Sequence, residues 1–448
     1  MFEDVLVEQN PHWSGQLFAN GIKRSCFDRL LQFMDTHMIV SIMGVRRAGK
    51  STLIKQLIDH LITKEKVAAK NILFLNLEHP YFSQYASDVK YLEKIFDSYL
   101  KIASPQGKIY CMLDEVQFFQ NWQVFVKAHF ESKKIKFVIT GSNSALLSSD
   151  LMTLLSGRTL PLQVFPLSFK EIARFHHINS DDPIHLSKNR HLLKKLQDDY
   201  LRLGGFPEVV ASENKAVVCD ILNAYAKSIL YQDVVPRLHI RQSTELEKLF
   251  VYLISNIGKL FSYHKLSELF DLSDKSIKEY IKAFSDSYLL FELDVFSYSL
   301  KKQIRNPKKV YSIDTGQVNA TSFAFSENAG RLLENLVFLE LKRMELELYY
   351  YKTESGLEVD FVAKEKSRHC LIQVAWDIHD SQTKERELKA LLSAMKELHL
   401  TRGIIITRED EETFEIDGCH IHILAAYQFF CQSDDKKRDV LFTDSGLA

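Results

Sequence analysis

The sequence lacks most of the features that would set it apart from ordinary globular proteins. No uninterrupted apolar run approaches the roughly 18 residues that a membrane span needs; the nearest, around His422 to Cys431, is shorter and ends in polar sequence. The opening MFEDVLVEQNPHW carries acids where a secretion signal needs basic residues, and it has no apolar stretch. Six cysteines (Cys26, Cys111, Cys219, Cys370, Cys419 and Cys431) are scattered with no C-x-x-C and no H-E-x-x-H, so neither a disulfide framework nor a zinc site is expected. Excess charge is missing too: the formal net charge is −1, and any contact with nucleic acid must come from a local patch. The expectation is a soluble, cytoplasmic protein with reduced thiols and no membrane partner. At 448 residues, 46% of them hydrophobic, the chain has room for about three domains, each with its own core.

What is present centres on His37 to Ile62. An apolar run, HMIVSIMG, leads into Gly44, Val45, Arg46, Arg47, Ala48, Gly49, Lys50, Ser51 and Thr52, followed by the amphipathic LIKQLIDHLI. This is G-x-x-x-x-G-K-[ST] between a strand and a helix, the context a phosphate loop requires. The glycines let the backbone curl so that its N–H groups face phosphate oxygens, and the helix adds its positive end. ATP and Mg2+ are the expected ligands, with Lys50 on the β- and γ-phosphates and the Ser51 hydroxyl on the metal.

Further strands are expected at NILFLN, at Ile109 to Asp114 and at Lys136 to Thr140. The second ends in Asp114-Glu115, at a sheet edge where nucleotides bind. Asp114 is placed to hold Mg2+ and Glu115 to orient or deprotonate the attacking water. After the third, Asn143 and Ser144 either contact the γ-phosphate or cap the next helix. Gly157-Arg158 precedes a last strand in TLPLQVFPL, and Arg158 is either an arginine finger, in cis or in trans, or a salt-bridged surface residue. Upstream, a helix is expected over Gly21 to Asp35, with Arg24 either near the base and ribose or on a solvated face.

These residues resemble those of AAA-type (AAA+) ATPases, in a prokaryotic branch with GxRRxGKST, LDExQ, ITGSxS, LxGR and PLSFxE segments. Here they read GVRRAGKST, Leu113 to Gln117, Ile139 to Ser144, Leu155 to Arg158 and Pro166 to Glu171. The resemblance implies an α/β P-loop ATPase domain over 1–165 and a helical lid over 166–240. The lid's Gly204-Gly205-Phe206-Pro207-Glu208 turn would close over nucleotide, with Arg202 a sensor or a structural residue. It also adds weight to Arg158, whose action in trans would need a homo-oligomer.

Over 241–300, short capped helices and LLFELDVF, expected as a strand pair, suggest a winged helix-turn-helix. Its recognition helix would expose Lys275, Ser276, Lys278 and Lys282 to DNA or to a protein partner. The basic run Lys301 to Lys309 is either a phosphate contact or a solvated linker. Over 301–430, helix, three strands, helix and strand resemble the restriction-endonuclease-like fold, which the same ATPase family also carries. Glu334, Asp360 and Glu358 fit its acids, but the expected E-x-K reads Gln373-Val374-Ala375. A neutral amide is a poor Mg2+ ligand and alanine handles no proton, so the domain is expected to be inactive. Residues 431–448 are expected to be a disordered polar tail.

Overall fold

The computed structural model describes residues 2–18, 21–132, 134–141, 155, 157–238, 243–322 and 329–443. Two compact units divide the chain, Met1–Phe165 and Pro166–Ala448.

In the first unit, helix α1 (Phe27–Met34) precedes strand β1 (Ile39–Met43), and α2 (Lys50–Thr63) follows the loop after it. Strands β2 (Ile72–Asn76), β3 (Ile109–Asp114), β4 (Ile135–Gly141) and β5 (Thr159–Gln163) complete a five-stranded parallel sheet in the order β2-β3-β4-β1-β5. Every residue of β1 and β4 is buried, as expected of strands covered on both faces. Leu73, Leu75, Cys111, Leu113, Phe137 and Ile139 belong to one core with Ile95, Tyr99, Trp122 and Phe125. Because β4 lies between β1 and β3, its carboxyl end separates the phosphate loop from the acid pair. Helix α1 is shorter than the expected Gly21–Asp35, since residues 21–24 have no regular structure.

The second unit opens with helices, among them α3 (Arg190–Leu203). There follow α4 (Thr244–Ser255), β6 (Leu260–Phe261), α5 (Tyr263–Phe270), α6 (Asp274–Asp286), β7 (Leu290–Leu293), α7 (Leu300–Arg305) and β8 (Lys308–Ser312). LLFELDVF is therefore not a strand pair. Only β7 forms from it, and its partner is β8, in an antiparallel sheet ordered β6-β8-β7. The basic run is correspondingly no linker: it forms α7 and the start of β8, Lys308 pairs with Asp294, and Lys309 is buried.

After α8 (Thr315–Thr321) and α9 (Ala329–Arg343) comes a six-stranded mixed sheet. Its strands are β9 (Glu347–Lys352), β10 (Glu358–Glu365), β11 (Arg368–Ala375), β12 (Arg402–Thr407), β13 (Glu412–Ile416) and β14 (Cys419–Ala425), ordered β13-β14-β12-β11-β10-β9. Helix α10 (Ser381–Glu397) connects the parallel pair β11 and β12. The sequence pattern missed β13, an edge strand with no fully buried residue.

The polar tail is not disordered over its described part. Asp434–Phe442 is helix α11, capped by Ser433, and its Lys437 is buried in an ion pair with Glu340 of α9. Arg438 bonds the Met344 carbonyl and Glu365. A string of charged residues reads as solvated until its partners are known.

Candidate functional site

The phosphate loop leaves β1 through a residue that must be glycine. Gly44 has φ +152°, and a Cβ there would stand 2.0 Å from the Val164 carbonyl oxygen. Gly49, at φ +96°, starts α2. Val45 and Ala48 are fully buried, Arg47 is exposed with φ +68°, and Arg46 pairs with Glu78 at 3.1 Å over the Phe118 ring. Ser51 and Thr52 are half-buried in the first turn of α2.

Lys50 is buried at the loop's centre. Its Nζ donates to the carbonyls of Gly44 (3.2 Å) and Val45 (3.3 Å) and lies 3.4 Å from Glu115 Oε1. Burial works to raise the Glu115 carboxyl, but Lys50, the Gln117 amide and Arg46 outweigh it and hold the group below its ordinary value. Its neighbour behaves in the opposite way. Burial and the charge of Glu115 push Asp114 up, against hydrogen bonds from Thr140 and Ser51 and the charge of Lys50. Ser51 and Asp114 are thus already in contact, a hydroxyl and a carboxylate of the kind that hold Mg2+.

Two residues take roles in the site that the sequence did not assign to them. Thr140, the penultimate residue of β4, donates its hydroxyl to Asp114 Oδ1 and accepts the Glu115 N–H at 3.0 Å. It holds both acids through one oxygen, which matters because Glu115 has a left-handed backbone (φ +54°). Its place directly before Gly141 was the available signal. Arg24 is neither solvated nor placed to meet a base: it is buried, and its guanidinium donates to Ala48 O and Phe165 O, both at 2.6 Å. It fixes the loop from behind.

Asn143 and Ser144 lie outside the described residues. Arg158 precedes β5 and its carbonyl accepts the N–H of Ile39, the first residue of β1. The phosphate loop leaves the other end of that strand, four residues or about 13 Å away. The guanidinium pairs with Glu131 at 2.9 Å and lies over Phe130. Within one chain, Arg158 is not part of this site.

Two other expected positions are occupied within the second unit. The Gly204-Gly205 turn is buried: Gly205 N–H donates to Asp314 Oδ2 at 2.6 Å, and a Cβ on Gly316 would stand 2.0 Å from Leu203 O. Arg202 is exposed and paired with Asp199 at 3.1 Å.

Taken with the sheet order, the loop, its lysine and the acid pair define a P-loop nucleotide-binding domain of the AAA+ class. Residues 36–173 match the AAA domain family, and 194–328 and 329–427 match two domains of unknown function (DUF8612 and DUF4143). An uncharacterized protein of Haemophilus influenzae is 31% identical over 404 residues, covering 89% of this chain and 96% of its own length. One from Methanocaldococcus jannaschii is 34% identical over 383 residues, covering 84% and 82%. The chain belongs to the family of these relatives. Among solved structures, the Aeropyrum pernix ORC1 protein in complex with DNA is 12% identical over 66% of this chain and 90% of that one, with a TM-score of 0.31. Cdc6p of Pyrobaculum aerophilum is 9% identical over 73% and 98%, with a TM-score of 0.28. Similarity at that level adds nothing about this chain. Among the described residues, no helix is long and apolar enough to cross a membrane.

Proposed function

We propose that the chain is a Mg2+-dependent ATPase of the AAA+ class that works as a nucleotide-driven switch. The observation that supports this most is the convergence of Lys50, Ser51, Asp114 and Glu115 around Thr140. The backbone of residues 44–52 would cradle the phosphates, and Lys50 would leave the Gly44 and Val45 carbonyls for phosphate oxygens. Ser51 and Asp114 would hold Mg2+, which neutralises charge on the phosphates when bound. Glu115, released from Lys50, would turn its carboxylate to position water, with the Gln117 amide and Arg46 still favouring the ionised form. Arg158 would serve a neighbouring copy's site, so the switch would act as a homo-oligomer. Asn143 remains a candidate for the γ-phosphate. ATP turnover by the full chain tests the reading: Lys50→Ala and Glu115→Gln are expected to lose about 100-fold or more, and undiminished turnover in either would refute it.

The rest of the chain fits an output module located in the cytoplasm. A lid over 166–240, a winged helix starting at 241 and a nuclease-like domain over 301–430 remain our reading. Support for the winged helix is the order α4-β6-α5-α6-β7-α7-β8, with β8 lying beyond its expected end at residue 300. Lys275, Lys278 and Lys282 are exposed on α6 and would be the groups to meet DNA or a protein partner, with Asp274, Glu279 and Asp286 of the same helix diluting their charge. Salt-dependent retention of DNA that changes with an ATP analogue would support this second reading. For the nuclease-like domain, Gln373 Oε1 accepts the Asp360 N–H at 3.2 Å and its amide donates to Glu387, so it fills a structural place. That supports an inactive domain.

A further inference from the structure

A nuclease-like layout implies a divalent ion between its acids, and the side chains here do not fit one. Glu334 comes from α9, and Glu358 and Asp360 come from β10. All three carboxylates converge on one atom, Lys309 Nζ, at 3.0, 2.8 and 2.9 Å. The ammonium donates hydrogen bonds to Glu334 Oε1 and Asp360 Oδ1 and forms an ion pair with Glu358 Oε1. The lysine belongs to neither of those elements. It arrives on β8, from the antiparallel β6-β8-β7 sheet, and is 1% exposed.

The surroundings are built for this arrangement. Tyr311, two residues on from Lys309, donates its hydroxyl to Glu334 Oε1 at 2.6 Å. Gly258 donates its N–H to Val310 O at 2.9 Å, and a Cβ there would stand 2.8 Å from Glu334 Oε2, so only glycine lets the backbone come so near. Arg386 is engaged with Glu387, and Tyr350 with the Pro307 carbonyl. Three acids against one ammonium leave the cluster short of positive charge. Burial and Asp360 accordingly raise Glu334, while the surrounding acids hold Lys309 charged despite its burial.

We propose that the Lys309 ammonium is the resident cation of this cluster, standing where a divalent ion would otherwise sit, so that Glu334, Glu358 and Asp360 form a masked site that accepts a hard divalent ion only when Lys309 is withdrawn. Oxygens 2.8–3.0 Å from a common point need close in by only about half an ångström to reach Ca2+ distances. The inference does not depend on whether the first unit hydrolyses ATP.

The test uses the nucleotide-free full chain and Mn2+, with uptake read from the loss of the free-ion electron paramagnetic resonance signal. Wild type and Glu358→Gln are expected to take up equal Mn2+. Lys309→Ala is expected to gain one ion per chain, bound about 10-fold or more tighter than any in wild type, and to lose it again in Lys309→Ala/Glu358→Gln. Its melting temperature should fall and recover in Ca2+. Lys309→Ser, whose short side chain also leaves the ammonium position open, should behave the same way if the alanine variant does not fold. Wild-type uptake that Glu358→Gln abolishes would overturn the proposal, because the site would then be open with Lys309 in place. Folded Lys309 variants that bind no more Mn2+ than wild type would overturn it equally.

Discussion

Replacing Thr140 by valine keeps the shape of the side chain and removes one oxygen, which makes it a sharp probe of the candidate site. That oxygen donates to the Asp114 carboxylate and accepts the N–H of Glu115, both buried. Losing a hydrogen bond to a charged group costs about 1.5–3 kcal/mol, and an unsatisfied buried N–H costs about 1–3 kcal/mol. The two losses share one atom and overlap, so the expected destabilisation of the first unit is about 2–4 kcal/mol. For a unit of this size that is a fall in melting temperature of about 5–15 °C. A second effect acts on the acid itself. Asp114 is already raised by burial and by Glu115, and Thr140 is among the groups that lower it. Without the hydroxyl the carboxyl rises further, so Mg2+ must compete with a proton at higher pH. The assay is differential scanning fluorimetry, together with Mg2+ titrations of ATP turnover between pH 6 and 8. Thr140→Val should need more Mg2+ and lose activity at a higher pH on the acid side, whereas Thr140→Ser should follow wild type. A valine variant with unchanged melting temperature, Mg2+ midpoint and acid limb would refute the reasoning.

Two further perturbations address the second unit. Burial raises Asp314 from its ordinary value near 3.8 to about 6, only partly offset by the N–H groups of Gly205, Gln317 and Gly316. A carboxyl raised by folding contributes stability that is fully present below pH 3.8 and is lost as the pH rises through about 6. The stability difference between wild type and Asp314→Asn, from urea melts, should therefore fall by up to about 3 kcal/mol between pH 4 and pH 7; a constant difference would count against it. Lys437→Met leaves Glu340 buried with Arg343 as its remaining cationic partner, and should cost about 3–5 kcal/mol in the same melts. Glu340→Met/Lys437→Met should recover only part of it, since removing Glu340 takes the carboxylate from Arg343.

What was readable in the sequence follows from how far apart in the chain the cooperating residues lie. The phosphate loop is nine consecutive residues between a strand and a helix, so local pattern sufficed to locate Gly44, Lys50 and Ser51. The acid pair was readable because Ile109–Asp114 is an apolar strand that ends in charge. The roles of Thr140 and Arg24 were not, because each depends on partners far away in the chain. Thr140 matters because the sheet order sets β4 beside β3, and Arg24 because the chain folds it under Ala48. The misplaced second strand of the antiparallel sheet has a similar cause. Lys308-Lys309 at the start of β8 argues for solvent until Asp294 and the acid cluster are seen to receive it. Arg158 shows the reverse case, a local motif that was found while its position across the sheet from the loop was not.

The same physics explains why the borders expected at residues 240, 300 and 430 do not divide the second unit into separate compact bodies. Asp314 satisfies the Gly204-Gly205 turn across the first two borders, and Lys437 of α11 satisfies Glu340 of α9 across the third. Arg343 reaches back to Leu167 O and the Tyr200 hydroxyl. Apart from half-buried Arg343, each of these groups is buried, and stripping its partner away would leave a charge or polar group with several kcal/mol of uncompensated desolvation. A segment cut at any of those borders would therefore expose apolar surface and also strand a charge. Periodicity and capping signals find where helices and strands begin, and they carry no information about which segment holds the counter-ion of another. The compact body is set by that pairing, which is why a chain that reads as lid, winged helix and nuclease-like domain forms one compact unit from Pro166 onward.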